Sequence, residues 1–226
     1  MSKILIKYAS RGRRDLFLSR MKNIQDTISK SATYLILVSI DEDDSSMKNL
    51  PDFSNTYICV GKSNNKIEAI NANMNVVPNW DLLINFSDDM EFVVNDWDLE
   101  IQKHYTPDCF IHFNDGYVGD KLPTMSIMDK VYYNRFGYIY HPSYKTESCD
   151  AEAMYVAMML GKHKYINTVL FKHKHPCNTG GGTDETYKRN GVFAKDDHKN
   201  YFERMKNYFD IPTEQRTCLP FEKHIK

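Results

Sequence analysis

Residues 80–92 have the sequence Trp80-Asp-Leu-Leu-Ile-Asn-Phe-Ser-Asp-Asp-Met-Glu-Phe92, in which a short apolar run ends in two adjacent carboxylates. The run at 82–86 is typical of a strand buried in a sheet that is covered on both faces. Asp88 and Asp89 follow it at the carboxyl end, where open α/β sheets bind their ligands. Because adjacent charges repel unless a cation or hydrogen-bond donors offset them, the pair predicts a divalent metal site. Asp is also common in solvated turns, and the motif alone leaves that alternative open.

The chain around this strand alternates apolar runs with helical spacing. Apolar runs predict strands at 4–9, 34–40, 56–60 and 82–86, and apolar residues at helical spacing predict helices at 16–28 and 65–74. This alternation predicts a single α/β domain with a mostly parallel sheet flanked by helices. Parallel strands place their carboxyl ends along one edge of the sheet, so we expect the polar residues after them to meet in one cleft. They are Ser10, Arg11, Asp41, Asp43, Asp88 and Asp89.

The second half of the chain has a less regular pattern. It predicts strands at 109–113, 125–128 and 169–171 and helices at 150–160 and 196–209. A glycine run, Gly180-Gly-Gly182, lacks the Lys-Ser/Thr that follows a phosphate-binding P-loop, so we interpret it as a mobile loop that acts as a lid.

Composition excludes several classes of protein. The 226 residues are 42% hydrophobic and 26% charged, which is ordinary for a globular chain, and the formal net charge of −1 provides no overall basic field for nucleic acid. The five cysteines show no disulfide-framework spacing, which favours a reducing compartment. The first residues lack the apolar core of a secretory leader, and no stretch has the length of a membrane span. These features predict a cytoplasmic protein without a transmembrane segment.

Six motifs in order resemble the nucleotide-sugar glycosyltransferases of the GT-A type, close to the family-2 kind, over roughly 4–204. They are Lys7-Tyr-Ala-Ser-Arg11, Lys66-Ile-Glu-Ala-Ile-Asn71, Ser87-Asp-Asp89, Arg135-Phe-Gly-Tyr-Ile-Tyr-His-Pro142, Cys149-Asp-Ala-Glu152 and His173-Lys-His175. The sequence departs from the acidic motif of that family, commonly Asp-any-Asp, because Ser87 occupies the first position.

The resemblance implies one GT-A-like (Rossmann-like) domain over residues 1–226. Within it, residues 1–90 would form the nucleotide-binding half, residues 91–195 the acceptor and catalytic half, and residues 196–226 a helical tail.

The resemblance also implies a site for Mn²⁺ or Mg²⁺, whose hard charge suits carboxylate and diphosphate oxygens. Asp89 is the preferred direct ligand, and Asp88 would then contact the ribose or a metal-bound water. A histidine near the C-terminus would complete the site, and we favour His175 over His173. A zinc site built on this pair and the nearby Cys177 would need a second Cys/His pair with finger spacing, which the sequence lacks.

Nucleotide-binding roles fall on Tyr8, Ser10, Arg11, Asp41 and Lys66 by the same resemblance. An acidic residue at the position of Asp41 would accept a hydrogen bond from the nucleobase, most often uracil. The guanidinium group of Arg11 suits a phosphate. A charged loop and a surface lysine are the ordinary alternatives for Asp41 and Lys66.

The catalytic carboxylate would lie at the start of the predicted helix after Ser148. In inverting members of the family, a carboxylate at this place removes the proton from the acceptor hydroxyl. We prefer Asp150 for this role, with Glu152 second. Both side chains also suit the helix dipole, which alone would explain them, and the role lapses if the anomeric configuration is retained.

The sequence therefore predicts a metal-dependent glycosyltransferase. It would move a sugar, by inversion, from a nucleotide-sugar donor, expected to be UDP-linked, to a hydroxyl acceptor on a glycan, a small molecule, a protein or a modified nucleic acid. One rival is a sugar-phosphate nucleotidyltransferase, which needs a glycine-rich phosphate loop where Ser10-Arg-Gly-Arg13 supplies one glycine. The other is a non-catalytic module that binds nucleotide sugars or glycans.

Overall fold

The computed structural model describes residues 2–221, which fold into one α/β domain. Its strands are β1 (Ile4–Ser10), β2 (Tyr34–Asp41), β3 (Thr56–Gly61), β4 (Leu82–Phe86), β5 (Met90–Phe92), β6 (Phe110–Asn114), β7 (Ile127–Asp129), β8 (His163–Val169) and β9 (Phe171–His173). Its α-helices are α1 (Arg14–Thr27), α2 (Lys66–Asn71), α3 (Trp97–His104), α4 (Lys130–Phe136), α5 (Cys149–Met159), α6 (Pro176–Thr179), α7 (Glu185–Gly191) and α8 (Ala194–Lys206).

Seven strands form the main sheet in the order β3-β2-β1-β4-β7-β6-β8. The four strands β3, β2, β1 and β4 are mutually parallel, β7 runs antiparallel to both of its neighbours, and β8 is parallel to β6. The predicted mostly parallel sheet is therefore confirmed. Tyr8 of β1 is in register with Val38 of β2 and Phe86 of β4, so the polar residues that follow these strands reach the same edge of the sheet.

Helices cover both faces of the sheet, as predicted. Alternate residues of β1 enter different cores, with Ile6 packing among residues of α1 and α3 and Leu5 among residues of α2, α4 and α5. Trp97, the first residue of α3, is fully buried and its ring stacks on Phe92 at 3.9 Å between centroids. Burial of each such large apolar side chain contributes about 1.5–3 kcal/mol, and the two cores together fix the position of the carboxyl edge.

Several predicted boundaries are wrong for local reasons. The helix predicted at 65–74 ends at Asn71, because Ala72 is extended and Asn73 adopts a left-handed φ of 66°. The strand predicted at 169–171 is two strands, β8 and β9. The helix predicted at 196–209 becomes α8 and a separate 3₁₀ turn, since Phe209 has a φ of 50°.

The predicted tail extends to residue 226, and residues 222–226 lie outside the described part of the chain. None of the helices within residues 2–221 combines the length and apolar character needed to cross a bilayer.

Candidate active site

A cleft of about 580 Å³ opens at the carboxyl ends of β1, β2 and β4. It brings together almost all of the predicted site residues, which are Ser10, Arg11, Asp41, Lys66, Asp88, Asp89, Asp150, His173 and His175. Tyr8 and Glu152 do not line it. Of the six polar residues expected to meet here, five line the cleft, and Asp43 does not line it but forms an ion pair with Arg11. The roles of the individual side chains depend on their partners.

Asp88 is held in the floor of the cleft by two residues of β1. Its Oδ1 accepts hydrogen bonds from the Tyr8 hydroxyl at 2.7 Å and from Ser10 Oγ at 2.9 Å. Burial raises the pKa of Asp88 to about 7, although these hydrogen bonds act in the opposite direction. Tyr8 is fully buried, so it orients Asp88 and has no surface to offer a nucleotide. Its predicted nucleotide contact is therefore not supported by its position.

Asp89 has surroundings that favour its charged form. Ser87 Oγ donates to its Oδ1, the Tyr187 hydroxyl donates to its Oδ2 at 2.7 Å, and His173 Nε2 lies 3.3 Å from the same Oδ2. Burial opposes ionisation, but His173, Ser87 and Tyr187 outweigh it and hold the pKa of Asp89 well below its usual value. The pKa values of the two adjacent carboxyls are thus shifted in opposite directions, and Asp89 ionises more readily than Asp88.

The small sheet of β5 and β9 brings the histidine motif to this carboxylate. His173 pairs with Met90, next to Asp89 in sequence, and the backbone N–H of Lys174 donates to the Asp89 carbonyl at 2.7 Å. His175 instead caps α6, where its Nδ1 accepts from the Cys177 N–H at 3.3 Å. Of the two histidines, His173 is the one in contact with Asp89.

No group of three or more His, Cys, Asp or Glu side chains within residues 2–221 is arranged to hold a metal ion. Magnesium at nucleotide sites is usually held by one or two carboxylates together with the phosphates of the substrate, so a full protein cage is not required. Asp89 supplies a carboxylate, and His173 next to it has a buried Nδ1 for which residues 2–221 supply no hydrogen-bond partner. These donors fit a divalent cation that is shared with a diphosphate.

Basic side chains surround the acidic ones at the mouth of the cleft. Arg11 forms ion pairs with Asp41 at 2.6 Å and with Asp43, and Arg189 lies 3.6 Å from Asp41. Asp41 therefore faces two guanidinium groups. Its predicted contact with a nucleobase would require at least one of them to move or to be shared. Lys66, at the start of α2, is exposed and lines the cleft as expected.

Helix α7 crosses the mouth of the cleft, which the sequence did not predict. Asp184, the N-cap residue of α7, forms a two-point ion pair with Arg13 at 2.7 and 2.9 Å, and Thr186 Oγ1 donates to the Arg11 carbonyl at 3.0 Å. Tyr187 reaches Asp89, and burial followed by the charge of Asp89 raises its pKa, which keeps the hydroxyl protonated as a donor. An Asp before a helical stretch is an N-cap signal, so α7 was detectable, but its contacts were not.

The two carboxylates at the start of α5 have different environments. Asp150 is half-buried in the cleft, and within residues 2–221 its side chain accepts only the N–H of the adjacent Ala151, at 2.9 Å. The Glu152 side chain is 4% exposed and forms a two-point ion pair with Arg204 at 2.8 Å, while the Tyr144 hydroxyl donates to it at 2.6 Å. The structure does not bring Glu152 to the cleft, because its oxygens already serve a buried ion pair.

No protein-family model matches the sequence, and no curated protein matches it significantly. Solved structures do match. A mannosyltransferase from Pyrobaculum calidifontis, in complex with GDP-Man and Mn²⁺, has a TM-score of 0.57 at 8% identity over 74% of this chain and 55% of its own. This chain thus spans little more than half of that protein. A Drosophila β-1,4-galactosyltransferase 7 variant, in complex with manganese, UDP-Gal and xylobiose, has a TM-score of 0.55 at 11% identity, over 83% of this chain and 79% of its own.

The protein has a GT-A-type fold. At these low identities the similarity is one of architecture, since the seven-stranded, mostly parallel sheet with flanking helices is what the structures share. The resemblance seen in the sequence motifs and the similarity of the folds therefore agree.

Proposed function

We propose that the protein is a metal-dependent glycosyltransferase that moves a sugar from a nucleoside-diphosphate donor to a hydroxyl acceptor. The observation that carries this proposal is the contact of Asp89 with His173, at 3.3 Å, in a cleft of about 580 Å³ that also contains arginines and the carboxylate of Asp150. Both matched structures hold manganese together with a nucleotide sugar, so metal-assisted sugar transfer is the chemistry that best fits this fold and this set of side chains.

Most nucleotide contacts would come from residues before position 90, with Arg189 of α7 added to them, and other residues of the second half would bind the acceptor. Arg11, Arg13 and Arg189 line the mouth of the cleft and offer planar guanidinium groups to the phosphates. Asp41, released in part from its arginines as they turn to the phosphates, would accept from a uracil N–H, and UDP is accordingly the proposed carrier. Asp88, whose pKa burial raises to about 7, would hydrogen-bond the ribose.

Asp89 and His173 would hold Mn²⁺ or Mg²⁺. The ring centre of His175 lies 5.6 Å from that of His173, so His175 would be near the cation as well. When bound, the cation would supply Lewis-acid stabilisation of the diphosphate. The protein itself would keep Asp89 ionised and oriented towards the cation. A charge that is already in position needs no reorganisation of the site during the reaction.

Asp150 would act as the base for an inverting displacement. The acceptor hydroxyl gives its proton to Asp150 while its oxygen bonds to the anomeric carbon, and the bond from that carbon to the diphosphate breaks with the electron pair leaving on the phosphate oxygen. Asp150 suits this role because no ion pair within residues 2–221 ties it down. Glu152, bound to Arg204, could accept a proton only by breaking a buried ion pair, which is costly.

The test is the release of nucleoside diphosphate from a panel of UDP- and GDP-sugars, with manganese and with a chelator. Asp89→Asn should abolish the metal-dependent release. Asp150→Asn should abolish transfer to acceptors and leave nucleotide affinity unchanged. Asp52→Asn, on an exposed residue, is the matched control and should behave as wild type. Full turnover by Asp150→Asn would refute the base assignment, and nucleotide binding without turnover of any donor would indicate a binding module.

A further inference from the structure

Tyr187 lies at the centre of a cluster that joins α7 to the carboxylate of Asp89. Its hydroxyl donates to Asp89 Oδ2 at 2.7 Å across 98 positions of sequence. The guanidinium carbon of Arg13 lies 4.2 Å from the centre of its ring, and the ring of His175 meets it edge-on at 4.9 Å. Tyr187 thus contacts the proposed metal carboxylate, a proposed phosphate-binding arginine and a histidine of the metal motif.

Each member of the cluster is held by contacts with another member. Asp184 caps α7 by accepting the Tyr187 N–H at 2.9 Å, and its carboxylate also forms the two-point ion pair with Arg13. The Arg13 side chain is 8% exposed, so its guanidinium has little freedom to leave the tyrosine ring. The contacts of the Tyr187 backbone and ring thus direct its hydroxyl towards Asp89.

The two oxygens of Asp89 have separate partners. Ser87 Oγ donates to Oδ1 from within the same turn, and Tyr187 donates to Oδ2, which also faces His173 Nε2 at 3.3 Å. Donors on both oxygens fix the plane of the carboxylate. A carboxylate that ligates a metal is commonly oriented by such outer partners, and their loss typically weakens metal binding by about 10–100-fold.

We propose that Tyr187 is a positioning residue of the metal site. Its hydroxyl orients Asp89 for the cation and thereby connects the position of α7 to metal binding. This inference rests on the proposed function, because it assumes that Asp89 binds a divalent cation together with a nucleoside diphosphate. It adds a residue from outside the motifs that the resemblance supplied, on a helix that the sequence analysis did not predict.

The conservative variant Tyr187→Phe separates the hydroxyl from the ring. It keeps the stacking on Arg13 and the edge contact with His175 and removes only the hydrogen bond to Asp89. Tyr57→Phe is the matched control, because Tyr57 is 47% exposed on β3 and does not line the cleft. Thermal unfolding of both variants should match wild type within about 2 °C, which corresponds to less than about 1 kcal/mol for a chain of this size.

The experiment measures manganese affinity in the presence of saturating UDP, from the loss of the free Mn²⁺ paramagnetic resonance signal. We expect Tyr187→Phe to weaken manganese binding about tenfold or more and Tyr57→Phe to leave it unchanged. In turnover assays, the manganese concentration for half-maximal rate should rise in Tyr187→Phe and stay at the wild-type value in Tyr57→Phe.

The outcomes distinguish the two proposals. If wild type binds manganese with UDP and Tyr187→Phe binds it equally well or more tightly, the positioning role is refuted and the proposed function stands. If wild type itself binds no manganese with UDP, the proposed function fails first. If Tyr187→Leu weakens manganese binding no more than Tyr187→Phe does, the effect comes from the hydroxyl and not from the ring.

Discussion

Replacement of Glu152 by Gln should destabilise the fold without removing a catalytic group. The Glu152 side chain is 4% exposed, both of its oxygens pair with Arg204 at 2.8 Å, and the Tyr144 hydroxyl adds a third contact at 2.6 Å. Gln preserves the volume, so no cavity forms, but it leaves the Arg204 charge without its buried partner. Loss of one member of a buried ion pair costs about 3–5 kcal/mol. Arg204 keeps an exposed contact with Asp210 at 2.8 Å, which places the expected loss at about 3 kcal/mol.

The assay is urea denaturation followed by circular dichroism, with a thermal scan as a second measure. A loss of about 3 kcal/mol corresponds to a fall in Tm of about 6–12 °C for a chain of this length. Asp150→Asn is the comparison variant on the same helix, and it should change the free energy of unfolding by less than about 1 kcal/mol, the usual worth of a carboxylate near a helix N-terminus. If Glu152→Gln is as stable as wild type but inactive, then Glu152 takes part in the chemistry and our division of roles is wrong.

Three further predictions concern the cores and the cleft. His163 contacts His112 at 3.0 Å, and burial lowers the pKa of His163 to about 4. The folded state therefore resists protonation of His163, and stability is lost as the pH falls from about 6.5 towards 4. Urea titrations should show a loss of about 1–2 kcal/mol between pH 7 and pH 5 in wild type and a smaller loss in His163→Gln, and equal losses in the two proteins would contradict this. Arg11→Lys removes the fork that spans Asp41 and Asp43 and should weaken UDP binding about tenfold by calorimetry, whereas unchanged affinity would exclude a phosphate contact. Trp97→Ala should cost about 3–5 kcal/mol in chemical denaturation because the ring is fully buried, and a cost below about 1 kcal/mol would show that α3 is not part of the core.

The parts of the fold that the sequence predicted correctly are those in which local pattern and tertiary burial agree. β4 was predicted with its bounds because residues 82–86 are all buried, which gives a run that is apolar except at Asn85. β8 was missed for the opposite reason. It lies at the edge of the sheet, its residues are only partly buried or exposed, and His163-Lys-Tyr-Ile-Asn-Thr-Val169 has no such run.

In the candidate site, too, some residues could be placed from sequence and others could not. Ser10, Asp41 and Asp89 could be placed in one cleft because topology alone brings the ends of parallel strands to one edge. Sequence ranked Asp150 before Glu152 but could not show their different environments, since the two lie two positions apart on one helical turn. Arg204, which pairs with Glu152 and not with Asp150, is 52 positions away from Glu152. Tyr187 was also beyond sequence reasoning, because its partner Asp89 is 98 positions away.

Calorimetric titration of UDP, first with manganese and then with excess chelator, tests the central claim most directly. We predict metal-dependent binding by the wild-type protein and none by Asp89→Ala, with the folded state of the variant verified by circular dichroism. Asp52→Ala should bind as wild type does. If the folded wild-type protein binds no nucleoside diphosphate when manganese is present, the cleft is not a nucleotide-sugar site and the account is contradicted.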